Sequence, residues 1–530
     1  MEILTLIGAD LAPANDPSAI KGRTVVNREW LAAYLRYGRA KSLCLLVWDE
    51  AQKRGVPEGA PGGCESRFCE VQELPELLGS LEAPVFLHGD PTVQGPKAAL
   101  RALSPGRAIP VTGITHTLST HAITDALRWA PMERLDPCDA VVCTSRAAQE
   151  VLRRAWEHSS RVLGVPPPAL MTPLIPLGVF PGDGGAPRSR PSGVPKDRPI
   201  VLVHGRITLL DKMDLVGLIE RWPAVMARAK VRPCLVISGA LSHSSTMDVY
   251  RERIRALGLG GDVLLRPNVS DAERSALLAS AQIYCSPSDN LQETFGLSVL
   301  EAMDAGRPVV LSDWSGYRDL IEDGKEGFLV PTYWGPADGK WSAVSALIPS
   351  GLQALLVSQQ IAVDLDRLVV RIAELLGDPD LRERMGRAGR TRVAEHYDWK
   401  HVIAAYDDLF CKQIEIARAL GPVETGPAAP TRWELFGHFP SHPIGEETHL
   451  RVTPTGEAVL GGREHAYRYL GQPWNDRALG NLSFTNAPEG RPVADMLGHL
   501  AAGSRDREEA FAALLWMLKR GWLEVVHRPR

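Results

Sequence analysis

The chain lacks any uninterrupted apolar run of the ~20 residues that a membrane-spanning helix needs, so no transmembrane segment is expected. It has no Cys-x-x-Cys pair either. Four of its eight cysteines, Cys44, Cys143, Cys234 and Cys285, fall inside apolar, strand-like stretches. Cys64 and Cys69 have no companion pair at zinc-ligand spacing, so reduced structural thiols are expected rather than a zinc site or a disulfide framework. A large charge of one sign is also missing. A formal charge of -4 and a pI near 6.4 give no reason to expect nucleic acid or an anionic membrane as the main partner. No internal repeat is visible. Met1-Glu2-Ile3-Leu4 runs straight into an apparent strand rather than a signal peptide, and a cytoplasmic location is expected.

What is present is length and alternation. At 530 residues the chain exceeds what one core usually holds, so two large domains and an extra module are expected. Short buried-strand candidates recur at Ile3 to Ile7, Leu43 to Trp48, Pro84 to His88, Ile109 to Ile114, Ala140 to Thr144 and Leu174 to Leu177, with helical periodicity at Asn27 to Tyr37 and Arg146 to Ala155. Strands alternating with helices predict a doubly wound parallel sheet, over residues 1–180. Residues 181–199, rich in Gly, Pro, Arg and Ser, read as a linker.

A second alternation fills residues 200–420, with strands from Ile200, Cys234, Val263, Ala281, Pro308 and Gly327. It is interrupted between Pro331 and Val363 by an insertion carrying Trp334 and Trp341, read either as a lid or as a packed surface turn. A linker at 421–430 then precedes a module at 431–530, with a hairpin expected at Arg451 to Leu460, helices at Val493 to Leu500 and Glu508 to Lys519, and a strand at Trp522 to Val526. That ending is reminiscent of a winged-helix or small peptide-binding module, and its role is left open.

The most informative stretch is Glu293-Thr294-Phe295-Gly296-Leu297-Ser298-Val299-Leu300-Glu301. On a continuous helix, residues eight apart lie about 12 Å along the axis and about 80° around it, poor geometry for holding one ligand. Gly296 between the carboxylates lets the chain bend, placing Glu293 in a loop and Glu301 in the first turns of a helix. Both then stand at a strand's carboxyl end, where open parallel sheets bind ligands. The N–H groups of Gly296, Leu297 and Ser298 would face the same space, which favours an anion. An anion cradle between two hydroxyl-binding carboxylates suits a sugar nucleotide.

This stretch resembles the E-x7-E signature of retaining GT-B glycosyltransferases of the family 4 type (glycosyl transferases group 1). The match runs on through Ser286-Pro287-Ser288-Asp289 before it and Ala305-Gly306-Arg307-Pro308-Val309-Val310 after it, and His396-Tyr397-Asp398-Trp399 is similar to the segment that starts the family's last helix, which crosses back to the first domain. The resemblance implies an α/β fold of GT-B type, two Rossmann-like domains facing a cleft plus a small C-terminal α+β module. It implies a nucleoside-diphosphate-sugar donor as co-substrate, no further cofactor and no metal. Glu301 would accept from the ribose hydroxyls and Glu293 from hydroxyls of the transferred sugar. The plainer account of Glu301 is a helix-start carboxylate facing the macrodipole.

In the loop after Ile200 to His204, Gly205-Arg206 is followed by Lys212, one residue wider than the family's commonest spacing. A guanidinium fork and an ammonium at a strand mouth can take up the charge of a leaving diphosphate. The alternative is a solvated pair bridging to Asp211 and Asp214. The family also places a histidine after a strand of the first domain, where His116 fits best and His88 is second. Gly8 would present its backbone to phosphate or acceptor, although the gap to Lys21 lacks the family's glycine pair. Asn268 and Val269 occupy the nucleobase position, and Phe295 lies within the donor-side segment.

No acid pair resembles a glycosidase dyad, no Asp-x-Asp run is read at a strand end suited to a metal, and Pro440 and Pro443 argue against zinc on His438 and His442. The acceptor is left open among glycans, lipid-linked sugars, small metabolites and proteins. A rival of another class is a non-catalytic nucleotide-sugar-binding or scaffold protein whose C-terminal module binds a partner; intact Arg206, Glu293 and Glu301 argue against it.

Overall fold

The computed structural model describes residues 1–5, 22–47, 53, 64–182, 190–209, 212–242, 244–336, 339–423, 432–460, 489–501 and 507–526. Gly8, expected to present its backbone to phosphate or acceptor, lies outside these residues, as do Lys21, Asp211 and the side chain of Trp341. The chain divides into two compact units, Met1–Gly426 and Pro427–Arg530.

The first unit contains two six-stranded parallel sheets. The first is built from β1 (Glu2–Thr5), β2 (Ser42–Val47), β3 (Glu65–Glu70), β4 (Pro84–Leu87), β5 (Val111–Ile114) and β6 (Ala140–Val142) in the order β3-β2-β1-β4-β5-β6. The second is built from β7 (Ile200–His204), β8 (Cys234–Gly239), β9 (Val263–Pro267), β10 (Ile283–Ser286), β11 (Val309–Ser312) and β12 (Gly327–Val330) in the order β12-β11-β10-β7-β8-β9. Each order turns back beside its first strand, as in doubly wound folds. Runs such as Leu202 0% and Val236 0% exposed are buried because helices cover both faces.

Two expectations need correction, and one strand was not expected. Leu174 to Leu177 is not a strand; Leu174 makes only an isolated bridge to Cys143, its neighbouring prolines Pro173 and Pro176 having no N–H to continue a ladder. Edge strand β3 gave no apolar signal, because only Cys69 of its residues is buried. In the C-terminal unit, Arg451 to Leu460 is not a hairpin: a strand ends at Val452 and the helix Pro454–Leu460 follows, with Pro454 at its first position, where a missing N–H costs nothing. All eight cysteines are free, and all but Cys411 are buried.

The insertion after β12 has its own structure. Strands β13 (Thr332–Tyr333) and β14 (Ala362–Val363) pair antiparallel and enclose the helix Ser350–Ser358. Asp364-Leu365-Asp366 does follow a strand, an Asp-x-Asp run that the sequence reading passed over. Asp364 caps a helix by accepting from Arg367 N at 2.8 Å, as Asp378 does from Leu381 N in the run Asp378-Pro379-Asp380.

The helix Trp399–Leu420 returns to the first sheet. Trp399, Ile403, Tyr406 and Phe410 enter one core with Trp30, Tyr34 and Val85. Asp407 on this helix is fully buried and receives Tyr34 OH at 2.5 Å and Arg39 N at 2.9 Å, while Gln413 bridges Thr112 and Cys138 at 2.8 Å each. Where the chain crosses between sheets the two strands of the connection lie side by side: Val179 N donates to Tyr397 O at 2.8 Å and Trp399 N to Val179 O at 3.1 Å.

In the second unit, β15 (His449–Val452) lies between β16 (Arg491–Pro492) and β17 (Leu523–Val525), all antiparallel. Leu450, Val493, Met496, Leu514 and Met517 form its core, so the apolar stripe of helix Arg507–Lys519 is packed inside its own unit.

Candidate active site

The site assembles at the carboxyl edge of the second sheet, where β7 and β10 are neighbours and the winding direction reverses. Glu293 and Glu301 flank the start of the helix Leu297–Asp304, and Gly296 precedes it at φ 112°. A Cβ on Gly296 would stand 2.5 Å from the Tyr317 ring, so both the backbone angle and the space require glycine. Glu293 is buried at 8% exposure and forms an ion pair with Lys212. Tyr317 OH donates to the same carboxylate oxygen at 3.2 Å, and burial, followed by the Glu293 charge, pushes that phenol well up, keeping it a neutral donor. Glu301, eight residues on, pairs with Arg274 of the helix Asp271–Ser280.

His204, which ends β7, links these groups. Burial first, then the charges of Arg274 and Lys212, pushes its imidazole down to about 4, so both cations act on the mouth of β7. Its Nδ1 lies 2.9 Å from Ser238 Oγ. Gly205 and Arg206 follow directly, both half-buried. Gly205 approaches β8 closely, its carbonyl lying where a Cβ on Gly239 would come within 1.7 Å. Asp289, in the loop after β10, is pushed up to about 7, mainly by burial, and lies against Asp214 N at 3.3 Å.

The first sheet reaches this site through its own carboxyl edge. Thr294 Oγ1 donates to His116 O at 2.8 Å, and Ser145 Oγ donates to Thr294 O at 2.8 Å while capping its own helix through Ala148 N. His116 is thus carried to the residue next to Glu293. His88 stands elsewhere on that edge, its Nε2 3.2 Å from Asp90 Oδ1.

Other expected residues have different settings. Phe295 is core, its ring 6.2 Å from Tyr397, so only its backbone can face a ligand. Leu297 and Val269 pack against the same core, and Ser298 Oγ accepts from Tyr284 OH at 2.8 Å. Asn268 has φ 56° and its Oδ1 accepts from Leu241 N at 2.9 Å, closing the turn after β8. Arg274, Tyr317 and Glu29 escaped the sequence reading. Each lies far along the chain from the residue it serves, and none has a local pattern that marks it.

Glu29, on the first helix Gly22–Tyr37, accepts from Trp399 Nε1 at 3.3 Å. Burial, reinforced by the charge of Glu301 and opposed by the Trp399 hydrogen bond, Arg274 and Arg28, pushes its carboxyl up to about 7. A carboxyl raised in the folded state stabilises the fold below its unfolded pKa of roughly 4.3, and that contribution is lost as pH rises through about 7. Glu29→Gln keeps an oxygen acceptor for Trp399 and is expected to be the more stable protein at pH 8 but not at pH 4. Urea midpoints against pH check this, and a constant difference between the two proteins across that range would contradict it.

Two doubly wound sheets, joined by a returning helix and meeting at their carboxyl edges, define the GT-B fold. Within it, residues 187–338 match the family model described as Glycosyl transferases group 1, and the chain carries a domain of that family. It is 29% identical over 228 residues to a phosphatidyl-myo-inositol mannosyltransferase of Mycobacterium tuberculosis, covering 43% of this chain and 50% of that protein. It is 27% identical over 282 residues to a D-inositol 3-phosphate glycosyltransferase of Streptomyces avermitilis, covering 52% of each. The chain thus spans about half the length of these curated relatives. Among solved structures, sucrose-phosphate synthase from Thermosynechococcus elongatus aligns with TM-score 0.53 at 19% identity over 78% of this chain and 99% of that one. The Anabaena protein HepE in complex with UDP aligns with TM-score 0.52 at 16% identity over 78% and 100%.

Among the described residues no helix is long and apolar enough to cross a membrane, and no group of three or more His, Cys, Asp or Glu is placed to hold a metal ion.

Proposed function

We propose that this protein is a retaining, metal-independent glycosyltransferase that moves a sugar, a hexose or a relative of one, from a nucleoside-diphosphate donor to an acceptor hydroxyl. The observation that carries the reading is the pairing of Lys212 with Glu293 and of Arg274 with Glu301 on the two sides of the Gly296 helix start. In this reading residues 200–420 hold the donor and residues 1–180 face the acceptor. Glu301 accepts from the ribose hydroxyls, Asn268 and Val269 flank the base, and Glu293 meets the transferred sugar. The Lys212 ammonium has three N–H donors, and pairing with Glu293 leaves others for phosphate oxygens.

The bond from the anomeric carbon to the diphosphate oxygen breaks as the acceptor oxygen forms a bond on the same face. The acceptor proton passes to the departing phosphate oxygen. Arg206, Lys212 and the backbone N–H groups at Gly296 to Ser298 stabilise the negative charge that develops there. His116 lies on the sugar side.

Release of nucleoside diphosphate from a panel of UDP- and GDP-sugars without acceptor tests the reading, since slow hydrolysis of at least one donor is expected. No turnover of any donor, with or without an acceptor library, would sink it. Glu301→Gln is expected to weaken binding of the free nucleoside diphosphate about tenfold or more, a charge-assisted hydrogen bond being worth roughly 1.5–3 kcal/mol. Glu293→Gln should bind the diphosphate nearly as the wild type does yet transfer poorly. Calorimetry with the diphosphate alone separates them, and equal losses would contradict the assignment.

A further inference from the structure

Just past the carboxyl end of β12, the outer strand of the second sheet, two large aromatic side chains stand in solvent. Tyr333 is 59% and Trp334 45% exposed, whereas Trp30, Trp222, Trp399 and Tyr284 are buried. Tyr333 lies in a strand and Trp334 follows it directly. Tyr333 is fixed in the β13–β14 pair opposite Ala362, Thr332 Oγ1 donates to Asp313 O at 2.9 Å, and Tyr333 OH reaches Asp364 Oδ2 at 3.4 Å. The Trp334 ring meets Trp314 edge to face, centroids 6.2 Å apart.

Trp314 in turn donates its Nε1–H to Asn290 O at 3.0 Å, and that same carbonyl accepts from Glu293 N at 3.2 Å. One carbonyl therefore ties the exposed aromatic pair to the residue assigned to the transferred sugar. The turn bearing Trp314 also packs on the site: a Cβ on Gly316 would meet Thr294 O at 2.2 Å.

An indole resting edge to face on Trp314 offers a flat apolar face of the size of a pyranose ring, and the neighbouring Asp313 and Arg318, paired at 2.6 Å, offer an acceptor and donors for sugar hydroxyls. The polar pair beside the aromatic face, and the tie of that face through Asn290 to Glu293, favour a polar ring ligand. We propose that Trp334, with Tyr333 beside it, is a stacking platform for a pyranose ring of the acceptor, beyond the position of the transferred sugar. The acceptor part of this assignment rests on the transferase reading above. Tyr333 and Trp334 lie inside residues 187–338, which match the family model, whereas β14 and the helix Ser350–Ser358 lie beyond them.

Saturation-transfer difference NMR on the full chain, with methyl α-mannopyranoside, methyl β-glucopyranoside and maltotriose as probes, tests it. At least one saccharide should give a saturable signal that is weakened at least tenfold in Trp334→Ala, restored in Trp334→Tyr and unchanged in Arg206→Ala. Trp334→Ala should hydrolyse donor at the wild-type rate, which also shows that it is folded. Absence of signal from every saccharide, an equal signal in Trp334→Ala, or competition by an apolar peptide but not by sugars would overturn the platform. Trp334-dependent binding in a protein that hydrolyses no donor would instead remove the transferase reading and keep the saccharide site.

Discussion

Arg206→Ala is expected to lower kcat roughly 100- to 1,000-fold while leaving KM for the donor within a few-fold, the loss typical of one preorganised charge donor at a developing anion. The half-buried Arg206 follows Gly205 at the mouth of β7, where Lys212 and Arg274 also act. A diphosphate carries its largest charge as it departs, so a cation placed there contributes more to the transition state than to the bound donor. Lys212→Ala should show the same kinetic loss with a further symptom. Glu293, 8% exposed, would lose its cation partner, and a carboxylate left so in a buried site destabilises the fold. Steady-state kinetics and melting curves on both variants check this. A variant with wild-type kcat and only a raised KM would show that its cation merely binds.

The second large effect is expected from a residue with no chemistry of its own. Gly296→Ala should cost about 2–5 kcal/mol of stability, summing the strain of a side chain at φ 112° with the crowding of its Cβ against Tyr317. Tyr317 is fully buried and cannot swing away, and its displacement breaks the hydrogen bond to Glu293. Activity should therefore fall even at temperatures where the variant is folded. Tyr317→Phe is the control: it removes that hydrogen bond, and the one with Ser286 Oγ at 2.8 Å, without the clash, and should impair transfer while losing less stability than the alanine variant. Chemical denaturation beside donor hydrolysis decides the matter, and an alanine variant as stable and active as the parent would mean that the helix start is not held as described.

The alternating runs from Ile200 to Val330 could be read directly, because parallel strands covered on both faces must be apolar throughout, and β7, β12 and the helix Asp271–Ser280 begin and end where the runs do. Legibility failed where burial failed. β3 faces solvent along most of its length, and the stretch from Arg451 carries a short helix marked only at its start, by the capping Thr453 and by Pro454. Glu293, Gly296 and Glu301 were legible because one turn of chain brings them together, so their spacing is their geometry.

The sequence by itself determined two doubly wound sheets, a returning helix, an appended module, and a loop-helix start with a carboxylate on each side. Only the tertiary structure decided which cations and donors those carboxylates meet. Lys212 is 81 positions from Glu293 and Arg274 is 27 from Glu301. Such partners are chosen by how the strands are ordered in the sheet rather than by periodicity along the chain. The same holds for Glu29 against Trp399, 370 positions apart, and for Trp334 against Trp314. Hydrophobic pattern is a property of neighbouring residues, whereas the strength and pKa of a charged group depend on what burial places around it.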